Sequence, residues 1–281
     1  MPIFDTPEPI SATVEVVVGD VRITAAAERG VMVDVRPSDA SNQEDVMAAE
    51  QTRVEYANEH LLVKTPKVRS WRPRSHGGSV DLTIELPAGS HVRGTGQMAD
   101  FACDGRLADC RIKTGMGRIA LDEVGAPNLK SGIGDVAIER ATGHADVNVG
   151  SGDVRVRELG ASAVIKNSNG DTWVGAAEGD LRISAANGSI AVDRAGATVV
   201  AKSSNGDVRL GQAARGSVVL ETGLGDVEVG IPEGTAAWLD VRASAGRVQN
   251  ELETATAPEP GAATIEVRAR TSVGTVLVRR P

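Results

Sequence analysis

The stretch SGIGDVAIERATGHADVNVGSGDVRV, residues 131–156, states one pattern twice. A glycine, an aspartate and a valine stand at Gly134-Asp135-Val136 and again, eighteen residues on, at Gly152-Asp153-Val154. Working outward, the same glycine recurs at Gly117, Gly134, Gly152, Gly170, Gly188, Gly206, Gly225, Gly246 and Gly274. The gaps are 17, 18, 18, 18, 18, 19, 21 and 28 residues. The earlier segment QMADFACDG (97–105) fits the same frame with Ala99 in place of the glycine. A period held this tightly marks a repeat architecture.

Each position within the repeat has its own job. The second and fourth residues after the glycine are apolar: Ile119/Leu121, Val136/Ile138, Val154/Val156, Ile190/Val192, Val208/Leu210 and Val227/Val229. The residues between them are mixed, as at Ala137, Arg155, Trp173, Arg209 and Glu228. Alternation with period two predicts a short strand with one face inward. A second such strand precedes each glycine, at Ala163/Ile165, Leu181/Ile183, Val199/Ala201, Val218/Leu220 and Leu239/Val241. Neither strand can bury its apolar face alone, whereas stacked copies pair each strand with its equivalents above and below. The sequence therefore predicts an all-β fold, a parallel β-solenoid (β-helix) of roughly 18-residue coils with two short strands per coil. Only 2% of residues are aromatic against 32 glycines, so the core must be Val, Ile, Leu and Ala.

The ends depart from the rule. ETATAPEPGAA (253–263) reads as an exposed loop. The arginine-rich last strands, ATIEVRARTSVGTVLVRRP, read as a terminal coil that protects its edge from pairing with another molecule. In the first ninety residues, 10–26 and 30–37 alternate as strands, the former with its own Gly19-Asp20-Val21 step. Residues 42–51 read as one short helix, 52–66 as a hairpin through Ala57-Asn58-Glu59-His60, and 79–89 as another strand. The expected organisation is a β-rich N-terminal cap over 1–97 leading into the solenoid, then solenoid repeats with an atypical C-terminal coil over 98–281.

Net charge −8 argues against a nucleic-acid partner, which needs a basic face. No apolar run approaches a membrane span. MPIFDTPEPISATVEVVVGD shows neither a basic nor an apolar leader region, so the chain reads as cytoplasmic. Cys103 and Cys110 are too few for a disulfide scaffold and read as two small buried thiols. One loop, PKVRSWRPRSHGG (66–78), concentrates Lys67, Arg69, Arg72, Arg74 and His76 around Trp71. It is either a solvated insertion or a contact loop for an acidic partner, a phosphate or an anionic membrane surface.

Directly after the repeat glycines stand Asp135, Asp153, Asp171, Asp207 and Asp226, interrupted by Ser189. In a solenoid these carboxylates form an outward ladder with rungs about 4.8 Å apart. Two readings compete: each Asp accepts backbone N–H bonds in its own turn, or cations sit between rungs. Calcium needs six to eight oxygens, and this turn supplies one carboxylate. The structural reading therefore prevails, and no metal or cofactor is expected. Asn169, Asn187 and Asn205, just before three successive glycines, predict a hydrogen-bonded amide ladder. The four histidines, His60, His76, His91 and His144, are scattered, and no G-x-S-x-G, H-E-x-x-H or P-loop is present. The reading is of a protein without catalytic residues.

The repeats KSGIGDVAIE, VGSGDVRV, KNSNGDTWVG, SAANGSIAVDRA and ETGLGDVEVGIPEGTAAWLDV resemble the β-strand-repeat family of unknown function labelled "putative adhesin". EPISATVEVVVGDVRI and SVDLTIELPAGSHVRG look like its actinobacterial members. The resemblance implies a β-solenoid with no established catalytic residues, and relatives in other Gram-positive bacteria are associated with envelope-stress responses. The expected function is a non-enzymatic scaffold for a protein or peptide, regulatory or stress-related, with solenoid edges or faces open to homo-oligomerisation. The alternatives are a carbohydrate-active or otherwise enzymatic β-helix, and an exported adhesin.

Overall fold

The structure, a computed structural model, describes residues 3–4, 6, 8–26, 30–66, 78–213, 215–252 and 263–281. They fall into two compact units, Met1–Ile138 and Glu139–Pro281. The first holds β1 (Ile3–Phe4), β2 (Ser11–Ala26), β3 (Val31–Pro37), α1 (Gln43–Glu50), β4 (Arg53–Ala57), β5 (His60–Lys64), β6 (Val80–Pro87), β7 (His91–Met116) and β8 (Ile119–Ile133). β9 (Val136–Ala141) runs over the division. The second holds β10 (Ala145–Ser151), β11 (Val154–Leu159), β12 (Ala163–Asn169), β13 (Thr172–Ala177), β14 (Leu181–Asn187), β15 (Ile190–Ala195) and β16 (Val199–Asn205). It continues through β17 (Val208–Ala213), β18 (Gly216–Leu224), β19 (Val227–Gly230), β20 (Thr235–Asn250) and β21 (Ala263–Arg279).

The predicted parallel solenoid stacking is what the second unit shows. β10 pairs with β12, β12 with β14, β14 with β16 and β16 with β18, all parallel and displaced by one repeat. β11, β13, β15, β17 and β19 form the matching row on the other side of the glycine corner. The inward pairs assigned from the alternation are buried: Val154/Val156, Ile165, Leu181/Ile183, Ile190/Val192, Val208/Leu210, Val218/Leu220 and Val227/Val229.

The corner glycine is dictated by proximity as well as by dihedral. Gly188 has φ +139°, and a Cβ there would lie 2.0 Å from the Gly170 carbonyl oxygen one coil back. A side chain at Gly188 would collide with that carbonyl, in a backbone conformation that only glycine adopts readily. The buried side chains three residues before these glycines serve the same corner. Thr222, Ser203 and Thr271 donate hydroxyl bonds to the carbonyls of Gly206 (2.7 Å), Gly188 (3.0 Å) and Gly225 (2.8 Å), each in the neighbouring coil. These carbonyls face inward, where an unpaired oxygen is costly.

In the first unit, β2 is already a coil of the stack. Its Gly19-Asp20-Val21 step pairs with Ala99-Asp100-Phe101 of β7, so Ala99 does occupy a glycine position. The opposite edge of β2 is covered in two pieces, by β5 and then by β6, both parallel. Antiparallel β4 and β3 cover β5 and β6 in turn, which protects strand edges that would otherwise be open. The predicted helix forms as α1, with Asn42 accepting from the Glu44 N–H as its N-cap. The hairpin turns at Asn58 and Glu59, both at positive φ (51° and 60°). Cys103 and Cys110 are buried free thiols. Hydrogen bonding to Cys103, together with burial, pushes the Cys110 thiol well above its ordinary value.

The C-terminal reading is corrected. β21 pairs with β18 and β19 on one edge and with β20 on the other, so the arginine-rich last strand lies inside the stack. β20 is the outer strand of the second unit, and among the described residues it pairs with β21 alone. The reason is visible in the spacing: Gly274 stacks on Gly225, 49 residues earlier, and the intervening Gly246 is displaced outward onto Gly274. Leu239 and Val241 consequently sit half-buried, whereas their equivalents Val218 and Leu220 are enclosed. The loop predicted at 253–263 lies outside the described residues except for Ala263, which opens β21.

Candidate functional site

The contact loop proposed from the sequence, with Lys67, Arg69, Trp71, Arg72, Arg74 and His76, lies outside the described residues. The aspartate ladder does not. Asp153 Oδ1 accepts the Asp171 N–H (2.9 Å), Asp171 Oδ1 the Ser189 N–H (2.8 Å), Asp207 Oδ1 the Asp226 N–H (2.8 Å) and Asp226 Oδ1 the Thr275 N–H (2.6 Å). Asp100 Oδ1 likewise accepts the Arg118 N–H (2.7 Å). The sequence predicts an acceptor role within each aspartate's own turn; the bonds of Asp100, Asp153, Asp171, Asp207 and Asp226 above go to the backbone of the next coil. Asp135 lies in the first unit, and the Ile119 N–H donates to its backbone carbonyl (2.9 Å). The repeating carboxylates therefore serve as struts between coils. The asparagine ladder forms as expected, Asn205 donating to Asn187 and Asn187 to Asn169, each at 2.9 Å.

Three carboxylates converge in the first unit that the sequence reading left apart. Asp81, Asp20 and Asp100 occupy adjacent rungs and line a depression of about 540 Å³ with Arg22, Arg36 and Arg118. Burial, followed by the charges of Asp100 and Asp81, raises the Asp20 carboxyl above its ordinary value, and Arg22 opposes the shift. Ser38 donates to Asp81 (2.6 Å), so one carboxylate of the three is already tied to a neighbour. Two histidines taken as scattered are also brought together. His60 and His91 flank Ser11 on either side and share a depression of about 360 Å³ with Asp109, Arg93 and Arg111. His91 Nδ1 lies 3.5 Å from Asp109 Oδ2. Among the described residues no group of three or more His, Cys, Asp or Glu is placed to hold a metal ion.

The second unit displays outward rows. One reads Lys166, Ser184, Lys202, Glu221, Arg270, Arg242 across successive strands. Lys202 and Glu221 form an ion pair of 2.6 Å. On the other side of the corner Arg155 lies over the Trp173 ring, 5.3 Å from its centroid, and the Trp173 Nε1–H donates to Asp193 (3.3 Å). At the end of the first row Asp240 receives three guanidinium groups: Arg270 at 2.9 Å, Arg242 at 3.1 Å and Arg268 at 3.4 Å. The hydrogen bond from Arg270 holds the Asp240 carboxyl below its ordinary value, and the charges of Arg242, Arg270 and Arg268 add to that. This arginine cluster forms where β20 and β21 pair, Asp240 opposite Arg268 and Arg242 opposite Arg270. The spacing of four residues before Gly246 and Gly274 was the signal that could have found it.

The family profile described as Toastrack DUF4097 matches residues 13–278 of this chain. No curated protein matches it. Among solved structures, a "putative adhesin" from Bacteroides fragilis is 14% identical, with 99% of this chain and 95% of that chain covered and a TM-score of 0.43. A "putative adhesin" from Parabacteroides distasonis is 12% identical, covering 98% and 95%, with a TM-score of 0.43. A "putative cell adhesion protein" from Clostridium sporogenes is 12% identical, covering 100% and 98%, with a TM-score of 0.30.

Proposed function

The chain belongs to the Toastrack DUF4097 family, and on that premise and the geometry above we propose that it is a non-enzymatic β-solenoid scaffold for a protein or peptide partner. The observation that carries this reading is the use made of the repeating carboxylates. They bind backbone N–H groups of the next coil, so the polar residues of the corner build the stack. What remains for recognition is the set of outward rows, whose composition changes from rung to rung while the frame stays fixed. A surface of that kind suits extended contact over several coils.

A location in the cytoplasm, a regulatory or envelope-stress role, and the likeness to actinobacterial members belong to the same proposal. The experiment is affinity capture from the native host with the intact chain, with a variant lacking residues 67–76, and with one neutralised at Arg242 and Arg270. A partner retained by the intact chain and lost with either variant supports the scaffold. Turnover of an acidic polysaccharide by the purified chain, abolished by Asp20→Asn, would establish the enzymatic alternative instead.

A further inference from the structure

Strand β20 combines two features that ordinary edge strands keep apart. It is 16 residues long with neither proline nor lysine, and among the described residues it pairs on one side only. Natural edges of this length are normally blunted by such residues, because an unpaired row of N–H and C=O groups is a template for another strand. The outer two strands also carry more cations than anions on this face. Arg242 of β20 and Arg268 and Arg270 of β21 all face the carboxylate of Asp240, and Arg270 also stands opposite Glu221 of β18. The Nε atoms of Arg268 and Arg270 are buried without a hydrogen-bond partner. A groove of about 710 Å³ on the face inboard of β20 is lined by Arg242, Arg270, the Lys202–Glu221 ion pair and the hydroxyls of Ser204, Ser244 and Ser272.

The register says what would complete this edge. Along the row Lys202, Glu221, Arg270, Arg242 the charges alternate until the last step, where two cations stand on neighbouring strands. Neighbouring rungs lie about 4.8 Å apart, and like charges opposite one another destabilise a sheet. A carboxylate on the next rung, opposite Arg242, would restore the alternation. Trp238, 61% exposed, projects from the same strand four residues before Arg242, on the same face.

We infer that β20 accepts an extended acidic peptide segment as an added strand on its open edge, with a Glu or Asp side chain set against Arg242. This rests on the scaffold reading above and gives its partner a chemistry. Main-chain hydrogen bonds to the edge hold the segment, and the guanidinium groups, which match carboxylates with two parallel donors, select its charge. A second copy of this chain is a poor occupant, because edge-to-edge pairing of two β20 strands would bring two positive clusters together.

The test uses the intact chain and a fluorescent peptide of alternating Thr and Glu, with its Thr–Gln counterpart as control. The expected result is binding of the Glu peptide alone, weakened about tenfold by Arg242→Gln and weakened by added salt. Amide hydrogen exchange should show new protection in residues 235–250 on binding. That last readout separates strand addition from simple charge attraction and is independent of whether the variant binds. Binding of the Glu peptide without protection of β20 would overturn the inference. So would binding of a sulfated or uronic-acid oligosaccharide in preference to the peptide, or no binding of either. Host capture that still yields a partner after such a failure would leave the scaffold standing with a different docking surface.

Discussion

Asn167 and Ala185 should be energetically coupled although they occupy different coils. In most coils of the frame the residue three before the glycine donates one hydroxyl bond to the preceding corner carbonyl, as Ser203 does to Gly188. Ala185 stands at this position one coil earlier, in register with Ser203, and has nothing to donate. The carbonyl it would serve belongs to Gly170. Asn167, 2% exposed, compensates from below: its Nδ2 lies 3.0 Å from the Gly152 oxygen and also 3.0 Å from that of Gly170. Two amide hydrogens thus do the work of two hydroxyls. Asn167→Ala removes both bonds, at about 1 kcal/mol each. It also abolishes the Asn167 Oδ1, which is buried without a partner and costs a similar amount. The net loss should be about 1 kcal/mol. Ala185→Ser alone adds a second donor to a carbonyl already served and should change little. In the Asn167→Ala background the same serine rescues the Gly170 carbonyl and should recover about 1 kcal/mol. The relief at Oδ1 appears in both arms and cancels, so the cycle isolates the shared carbonyl. Urea unfolding of the four proteins measures it. Additive effects, with a coupling below about 0.3 kcal/mol, would refute the argument that Asn167 stands in for the hydroxyl missing at 185.

Two further outcomes follow from the carboxylates. Asp171→Asn keeps an oxygen that can accept the Ser189 N–H and should stay within about 0.5 kcal/mol of the parent, whereas Asp171→Ala should lose about 1 kcal/mol in the same urea assay. Equal losses for the two would mean that the charge, not the acceptor, matters on this rung. Asp20 has its folded-state pKa raised, so its ionised form is disfavoured by folding. Its contribution is most favourable below the unfolded value of 3.8 and is lost as pH rises through the higher folded value. Asp20→Asn should therefore raise the Tm at neutral pH and flatten the Tm–pH curve above pH 3.8. A variant that melts lower at neutral pH would show that the Asp20 carboxylate is needed in its charged form.

What could be read in advance depended on whether a feature was periodic. The strands, the glycine corners and the asparagine ladder each recur every eighteen residues, and a stacked repeat converts sequence distance directly into spatial adjacency. Residues eighteen apart, such as Asp153 and Asp171, must meet. The same rule explains the misreadings. Where the period fails, order along the chain and order in the stack part company. β5 and β6 lie on the outer side of β2, although they follow it by dozens of residues. At the other end, β21 lies between β20 and the coil of β18 and β19. The lengthened gaps of 21 and 28 residues around Gly246 were the available signal, since their sum of 49 is the spacing of the hydrogen bond from Thr275 to Asp226. Read as a sum, they place β21 directly on β18 and leave β20 outside. Read one by one, they suggest only loops. The carboxylates of the first unit share this fate. Asp20, Asp81 and Asp100 become neighbours only through a non-sequential step, whereas Arg242, Arg268 and Arg270 meet across the consecutive strands β20 and β21. A solenoid is legible in its middle because every coil is like the last, and its surfaces most distinct in charge form where the chain departs from that rule.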